Sequence, residues 1–141
     1  MNLDDYYKKA KAKQAEHKKF LAKVKSKPPK HFDQQMQAIH EDVFDQIDCL
    51  SCANCCKTTG PLFTQKDIER LSKALRLKPQ QFIETYLRID EDNDYVLQTV
   101  PCPFLGSDNY CSVYDDRPKA CREYPHTDRR KFYQINHLTA K

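Results

Sequence analysis

Seven cysteines lie at positions 49, 52, 55, 56, 102, 111 and 121 of this 141-residue chain. The first four spell C-x2-C-x2-C-C, as Cys49-Leu-Ser-Cys52-Ala-Asn-Cys55-Cys56. Two intervening residues let one tight turn aim two thiolates at a common centre, the spacing that zinc knuckles and iron–sulfur clusters share. Cys102, Cys111 and Cys121 form a later trio, offered by a hairpin and a helix start. Two tetrahedral zinc ions sharing one bridging thiolate would use all seven, whereas a four-iron cluster would use four and leave three. Both fit the count. His126, five residues after Cys121, is the one histidine near enough in sequence to add a ligand.

Other uses of cysteine account for less of the pattern. A lone cysteine is most often a small buried hydrophobe, and that reading could take Cys56 or Cys111 singly. It does not absorb a C-x2-C-x2-C-C run. A thioredoxin-type redox pair needs a βαβ context, which the surroundings lack. The N-terminus, MNLDDYYKKAKAK, has no apolar signal segment, so the expected compartment is the reducing cytoplasm, where thiols serve as metal ligands. With only Gly60 and Gly106, neither GxGxxG nor GxxxxGK can be written. No stretch approaches the roughly 20 apolar residues of a membrane span. No acid–base pair or nucleophile–histidine arrangement stands out, so binding is expected ahead of catalysis.

These cysteines must be positioned by a small core, for 31% of residues are charged and 39% apolar. Charge divides the chain near Pro28-Pro29. Residues 1–30 carry ten lysines against Asp4, Asp5 and Glu16, a balance of +7, and residues 31–141 carry −3. The expected organisation is therefore a basic N-terminal helix or arm, 1–30, followed by a cysteine-cluster metal-binding domain, 31–141. Residues 4–26 lack glycine and proline and favour helix. Their lysines read as a solvated face, or as a patch for nucleic acid or an acidic protein; a membrane-surface helix lacks the bulky residues that insert.

Met36, Ile39, Val43 and Ile47 predict a helix from about Asp33 to Ile47. Thr64 with Asp67 resembles a capping box opening a helix through Ile68, Leu71 and Leu75. Pro79 starts a short helix carrying Phe82, Ile83, Tyr86 and Leu87. The turn cluster 90–94 precedes a strand at Tyr95–Val100, and the turn 106–109 precedes a second at Tyr110–Val113. Pro118 sits in the first turn of a helix carrying Cys121. The positive end of that helix would lower the Cys121 pKa, as would Arg117 and Arg122 if turned inward. Otherwise both arginines pair at the surface with Asp115, Asp116 or Glu123. The fold expected is mainly α with one or two small β-hairpins, a small metal-stabilised cysteine-cluster domain.

The run Cys49–Cys56, then Cys102-Pro-Phe-Leu, then Cys111-Ser-Val-Tyr-Asp-Asp-Arg-Pro-Lys-Ala-Cys-Arg-Glu-Tyr-Pro to Pro125, resembles the CxxCxxCC cysteine-cluster family, also called YkgJ-like. The resemblance covers roughly residues 45–126. Members are described as zinc- or iron-chelating, which implies zinc or iron, or an iron–sulfur cluster, on the seven cysteines. The same pattern occurs in the longer flagellin lysine N-methylases. That implies an alternative role as an iron–sulfur electron-transfer or redox protein, accessory to a modification enzyme such as a protein lysine methylase.

Overall fold

The computed structural model describes residues 2–136 and divides the chain into two compact units. One comprises the chain up to Asp48 together with the stretch from Pro125; the other is Cys49–Tyr124 and holds all seven cysteines.

In the first unit, the expected N-terminal helix forms as two pieces, α1 (Leu3–Ala12) and α2 (Gln14–Ser26), interrupted at Lys13, whose φ −102° and ψ 6° leave the helical region. The Asn2 side chain caps α1 by accepting from the Asp4 N–H at 3.2 Å. Helix α3 spans Phe32–Phe44, three residues short of the expected Ile47. The face read as its apolar stripe is largely exposed at Ile39 and Val43. What holds this unit is the returning C-terminal stretch. Val24, Phe132 and Asn136 are buried, and the Asn136 side-chain amide donates to the Leu21 carbonyl at 3.2 Å. The Lys131 N–H donates to Asp33 at 2.8 Å, and Phe32 meets Tyr133 edge-on. The charge boundary at Pro28-Pro29 thus falls inside this unit. Residues 137–141 of the expected 31–141 domain lie outside the described residues.

The second unit begins with two short helices, α4 (Cys49–Cys52) and α5 (Asn54–Thr58). Strand β1 (Leu62–Phe63) follows, then α6 (Gln65–Ala74) and α7 (Pro79–Tyr86). Strands β2 (Leu87–Ile89) and β3 (Tyr95–Leu97) complete an antiparallel sheet in the order β1-β3-β2. Leu87 faces Leu97 and Leu62 faces Val96. The β2–β3 turn closes where the Asp90 carboxylate accepts from the backbone of Asp92 and Asp94, both at 3.0 Å, with Asn93 left-handed at φ 63°. Short polar side chains of this kind tolerate that conformation and bond their own backbone.

The capping box forms as the sequence predicts. The Asp67 N–H donates to Thr64 Oγ1 at 3.2 Å, and the Thr64 N–H donates back to Asp67 Oδ2 at 2.9 Å. Ile68 and Leu71 then face inward, three residues apart on one helical face, and join Phe63, Phe82, Leu87, Leu97, Phe104 and Val113 in the core. Cys102 and Cys111 pack against its edge. The architecture is thus mainly helical with a small antiparallel sheet, as expected. The second strand at Tyr110–Val113 shrinks to one bridge, Leu105 to Cys111. The chain leaves it at once, for the N–H of Tyr114 donates back to the Cys111 carbonyl at 3.2 Å and starts a 3-10 turn, Tyr114–Asp116.

Candidate metal centre

The two halves of the C-x2-C-x2-C-C run sit on separate helical turns. Ala53 joins them in the left-handed conformation, φ 47° and ψ 17°, while remaining buried. The Ala53 N–H donates to the Cys49 carbonyl at 2.9 Å and its carbonyl accepts from Lys57 at 3.1 Å, so the reversal is pinned on both sides. Cys49 and Cys52 therefore stand on one turn and Cys55 and Cys56 on the next.

One backbone hydrogen bond brings in the distant Cys-Pro segment. The Cys102 N–H donates to the Cys56 carbonyl at 2.8 Å, across forty-six residues of sequence. The Phe104 carbonyl accepts the Ser112 N–H at 2.8 Å, and Gly106 and Tyr110 close the hairpin that presents Cys111. Gly106 is required here, because a Cβ would lie 2.6 Å from the Asp108 carboxylate and 3.3 Å from the Tyr110 carbonyl. Cys121 is carried by α8 (Lys119–Glu123), with Pro118 as N-cap.

That last helix is fixed by a knot the sequence reading did not single out. Asp67 is buried, and its Oδ1 accepts from Arg70 Nη2 at 2.7 Å and from the Lys119 N–H at 3.1 Å. Arg70 in turn donates Nε to the Asp116 carbonyl at 3.1 Å and Nη2 to the Arg117 carbonyl at 3.0 Å. One ion pair thereby anchors the turn leading to Cys121 onto α6. The signal that could have found it is Asp67 three residues before Arg70, neighbours on a helix face. The sequence showed Asp67 only as half of a cap.

Electrostatics show which sulfurs are gathered. The Cys56 thiol is pushed up to about 12 by desolvation, then by Cys55, to which it is hydrogen-bonded, and by Cys102 and Cys121. The Cys121 residue is exposed, yet desolvation of its thiolate leads the rise to about 12, followed by Cys102, Cys55 and Cys111. Cys102 is raised by desolvation and by Cys111 and Cys55, while the N–H groups of Phe104 and Leu105 favour its thiolate. Cys55, Cys56, Cys102, Cys111 and Cys121 thus lie within mutual electrostatic reach.

The depression expected for Cys121 is reversed. Arg117 does act in the lowering direction, but desolvation and the neighbouring thiolates outweigh it. The Arg117 guanidinium lies 3.9 Å over the Tyr114 ring and donates to the Tyr114 carbonyl at 2.7 Å. Glu123 is paired with Lys119 at 3.6 Å.

Residues 48–139, more than half of the chain, match the model of the CxxCxxCC family, described as "Putative zinc- or iron-chelating domain". The chain belongs to the CxxCxxCC family. No curated protein and no solved structure matches it. The CxxCxxCC donor set suits such a cation. No disulfide joins any of the seven cysteines, five of them crowd one another, and Cys102 already receives backbone donors that stabilise a thiolate. Among the described residues, no three Cys, His, Asp or Glu side chains stand in an arrangement that could hold a metal ion. The sulfurs are gathered, not closed.

Proposed function

We propose that this protein binds zinc or iron through the thiolates of Cys49, Cys52, Cys55, Cys56, Cys102, Cys111 and Cys121, and that the metal ties together the segments those residues occupy. The observation that carries this reading is the convergence of Cys55, Cys56, Cys102, Cys111 and Cys121 in one electrostatic neighbourhood, with Cys102 bonded by its backbone to Cys56. Grouped thiols that raise one another's pKa lack a positive charge at their centre, and a divalent cation supplies it. Cys49 and Cys52 stand on the turn before Ala53 and complete the set. Such a centre works by chelation: it holds the chain together or carries the metal, and it acts in the cytoplasm, where thiols stay reduced.

Elemental analysis of protein purified without oxygen tests this reading. Zinc or iron at one or two equivalents per chain is expected for isolated ions, and a brown colour with about four iron per chain would assign a four-iron cluster. Serine at both Cys55 and Cys102 should abolish retention. A folded wild-type chain that holds neither metal overturns the proposal.

A further inference from the structure

The N-terminal helices hold a surface that the metal centre does not explain. The two helices are separate: α1 closes with the Lys13 N–H on the Lys9 carbonyl at 3.2 Å, and α2 opens with the His17 N–H on the Lys13 carbonyl at 2.9 Å. Leu3–Ala12 is therefore a rod about 15 Å long and Gln14–Ser26 one about 20 Å long. Every residue from Asp4 to Phe20 is exposed. Tyr6 and Phe20 each leave 62% of their surface in solvent. A helix exposed all round gains nothing from burial, so its cations and rings are available to a partner. Tyr6 stands three residues before Lys9 on α1 and Phe20 three before Lys23 on α2, so each ring shares a helix face with a lysine.

The fold adds cations from the far end of the chain. Arg129, Arg130 and Lys131 are exposed and directly precede the 3-10 turn Phe132–Gln134, which packs on α2. Positive charge from both ends of the sequence thus collects in one compact unit.

We infer that this surface binds single-stranded nucleic acid without regard to sequence, its lysines and arginines on phosphates and the Tyr6 and Phe20 rings stacked on bases. Lysine is a compact point charge that suits a mobile phosphate chain rather than the reading of base edges. Exposed rings set among cations are the pairing that single strands require, because every base offers a face. A lipid surface would need a continuous bulky apolar stripe, and from Leu3 to Ala12 the rod offers only Leu3, two tyrosines and alanines. An acidic protein would satisfy the charge but leave the rings without a use.

Full-length protein titrated into labelled oligo-dT, oligo-U, a matched duplex, and phosphatidylserine–phosphatidylcholine vesicles tests the inference. Single strands should bind tightest, with log K falling linearly in log salt by about 0.7 per phosphate contacted. Lys18→Gln with Lys19→Gln should make that slope shallower by about 1.4. Tyr6→Ala and Phe20→Ala should each weaken single-strand binding roughly five- to a hundred-fold with the slope unchanged. Both side chains are exposed, so circular dichroism should report an intact fold. Three results would overturn the inference: salt-insensitive or absent binding, equal binding of duplex that ignores Tyr6 and Phe20, or preference for the vesicles.

Discussion

Replacing Asp67 with alanine removes four hydrogen bonds from one buried carboxylate. Two come from Thr64, at 2.9 Å from its N–H and 2.7 Å from its hydroxyl, one from Arg70 at 2.7 Å, and one from the Lys119 N–H at 3.1 Å. The capping interaction is worth about 1 kcal/mol. The charge-assisted bond to Arg70 adds about 1.5–3 kcal/mol. Arg70 keeps its contacts to the carbonyls of Asp116 and Arg117 but loses its counter-charge. The expected loss is therefore about 2.5–4 kcal/mol, for the carboxylate is buried while the Arg70 side chain keeps part of its surface in solvent. Asp67→Asn preserves the shape and most acceptor geometry and should cost less, about 1–3 kcal/mol.

Urea denaturation followed by circular dichroism measures that loss in metal-free protein. A second readout separates the cap from the anchor of α8: the rate at which a disulfide reagent reacts with Cys121 should rise in Asp67→Ala and stay near wild type in Thr64→Ala. pH provides a third. Desolvation pulls the Asp67 pKa up, but the bonds from Thr64, Arg70 and Lys119 outweigh it and hold the pKa below 3.8. The folded value lies below the unfolded one, so the contribution is full above about pH 4 and fades as pH falls through the folded value. Wild type should lose stability on that acid limb, and Asp67→Asn should lose less. A cost under about 1 kcal/mol with unchanged Cys121 reactivity would refute the claim that Asp67 anchors α8.

Four further outcomes follow from the centre and the arm. Chelation, or Cys52→Ser in metal-loaded protein, should lower the melting temperature sharply, since structural zinc sites supply about 10–16 kcal/mol of apparent binding energy; a melting curve that ignores the chelator would make the metal peripheral. Metal uptake should release about four protons per tetrahedral ion near pH 7, measurable with a pH indicator, because cysteine thiols are protonated there and bind the ion as thiolates. In the metal-free protein the raised values of Cys56 and Cys121, about 12 rather than 9.0, favour the folded state fully below about pH 9 and lose that effect as pH climbs toward 12, so its alkaline melting limb should fall and that of Cys56→Ser should fall less. Truncation at His31 should leave metal content unchanged while loosening residues 125–136, because Val24 and the Leu21 carbonyl leave with α2; loss of metal would place the arm within the centre.

The sequence reading succeeded where the signal is local. A Thr64–Asp67 cap, a proline opening α7 and apolar positions at helical spacing are each written within a few residues, and each formed. The turn at 90–94 is likewise complete in its own side chains. It failed where backbone groups choose distant partners. Strand β1 has two residues and exists only because β3 runs beside it, and the predicted strand at Tyr110–Val113 finds a single partner before the chain turns away. Ala53 in the left-handed region carries no sequence mark, since alanine rarely adopts it, yet it splits the cysteine run into two turns.

Spacing told which cysteines could share a centre but not what would bring them there. The C-x2-C-x2-C-C run needs only its own backbone to present pairs of thiols, whereas Cys102 and Cys121 lie far along the chain and must be carried in. Loop closure over such lengths is entropically costly, and a few weak sulfur contacts would not offset it. In this structure, the hydrogen bond from Cys102 to Cys56 closes one loop, and the Asp67–Arg70 pair closes the other by holding the backbone at residues 116–119. Both devices are independent of sulfur. The segments that carry these thiols are therefore held by backbone and ion-pair contacts, and the crowding of the sulfurs shows in the raised pKa values of Cys56, Cys102 and Cys121. On this reasoning Asp67→Ala and Cys52→Ser weaken metal retention by different routes, one by loosening a segment and the other by deleting a ligand. Excess metal should rescue the first more than the second.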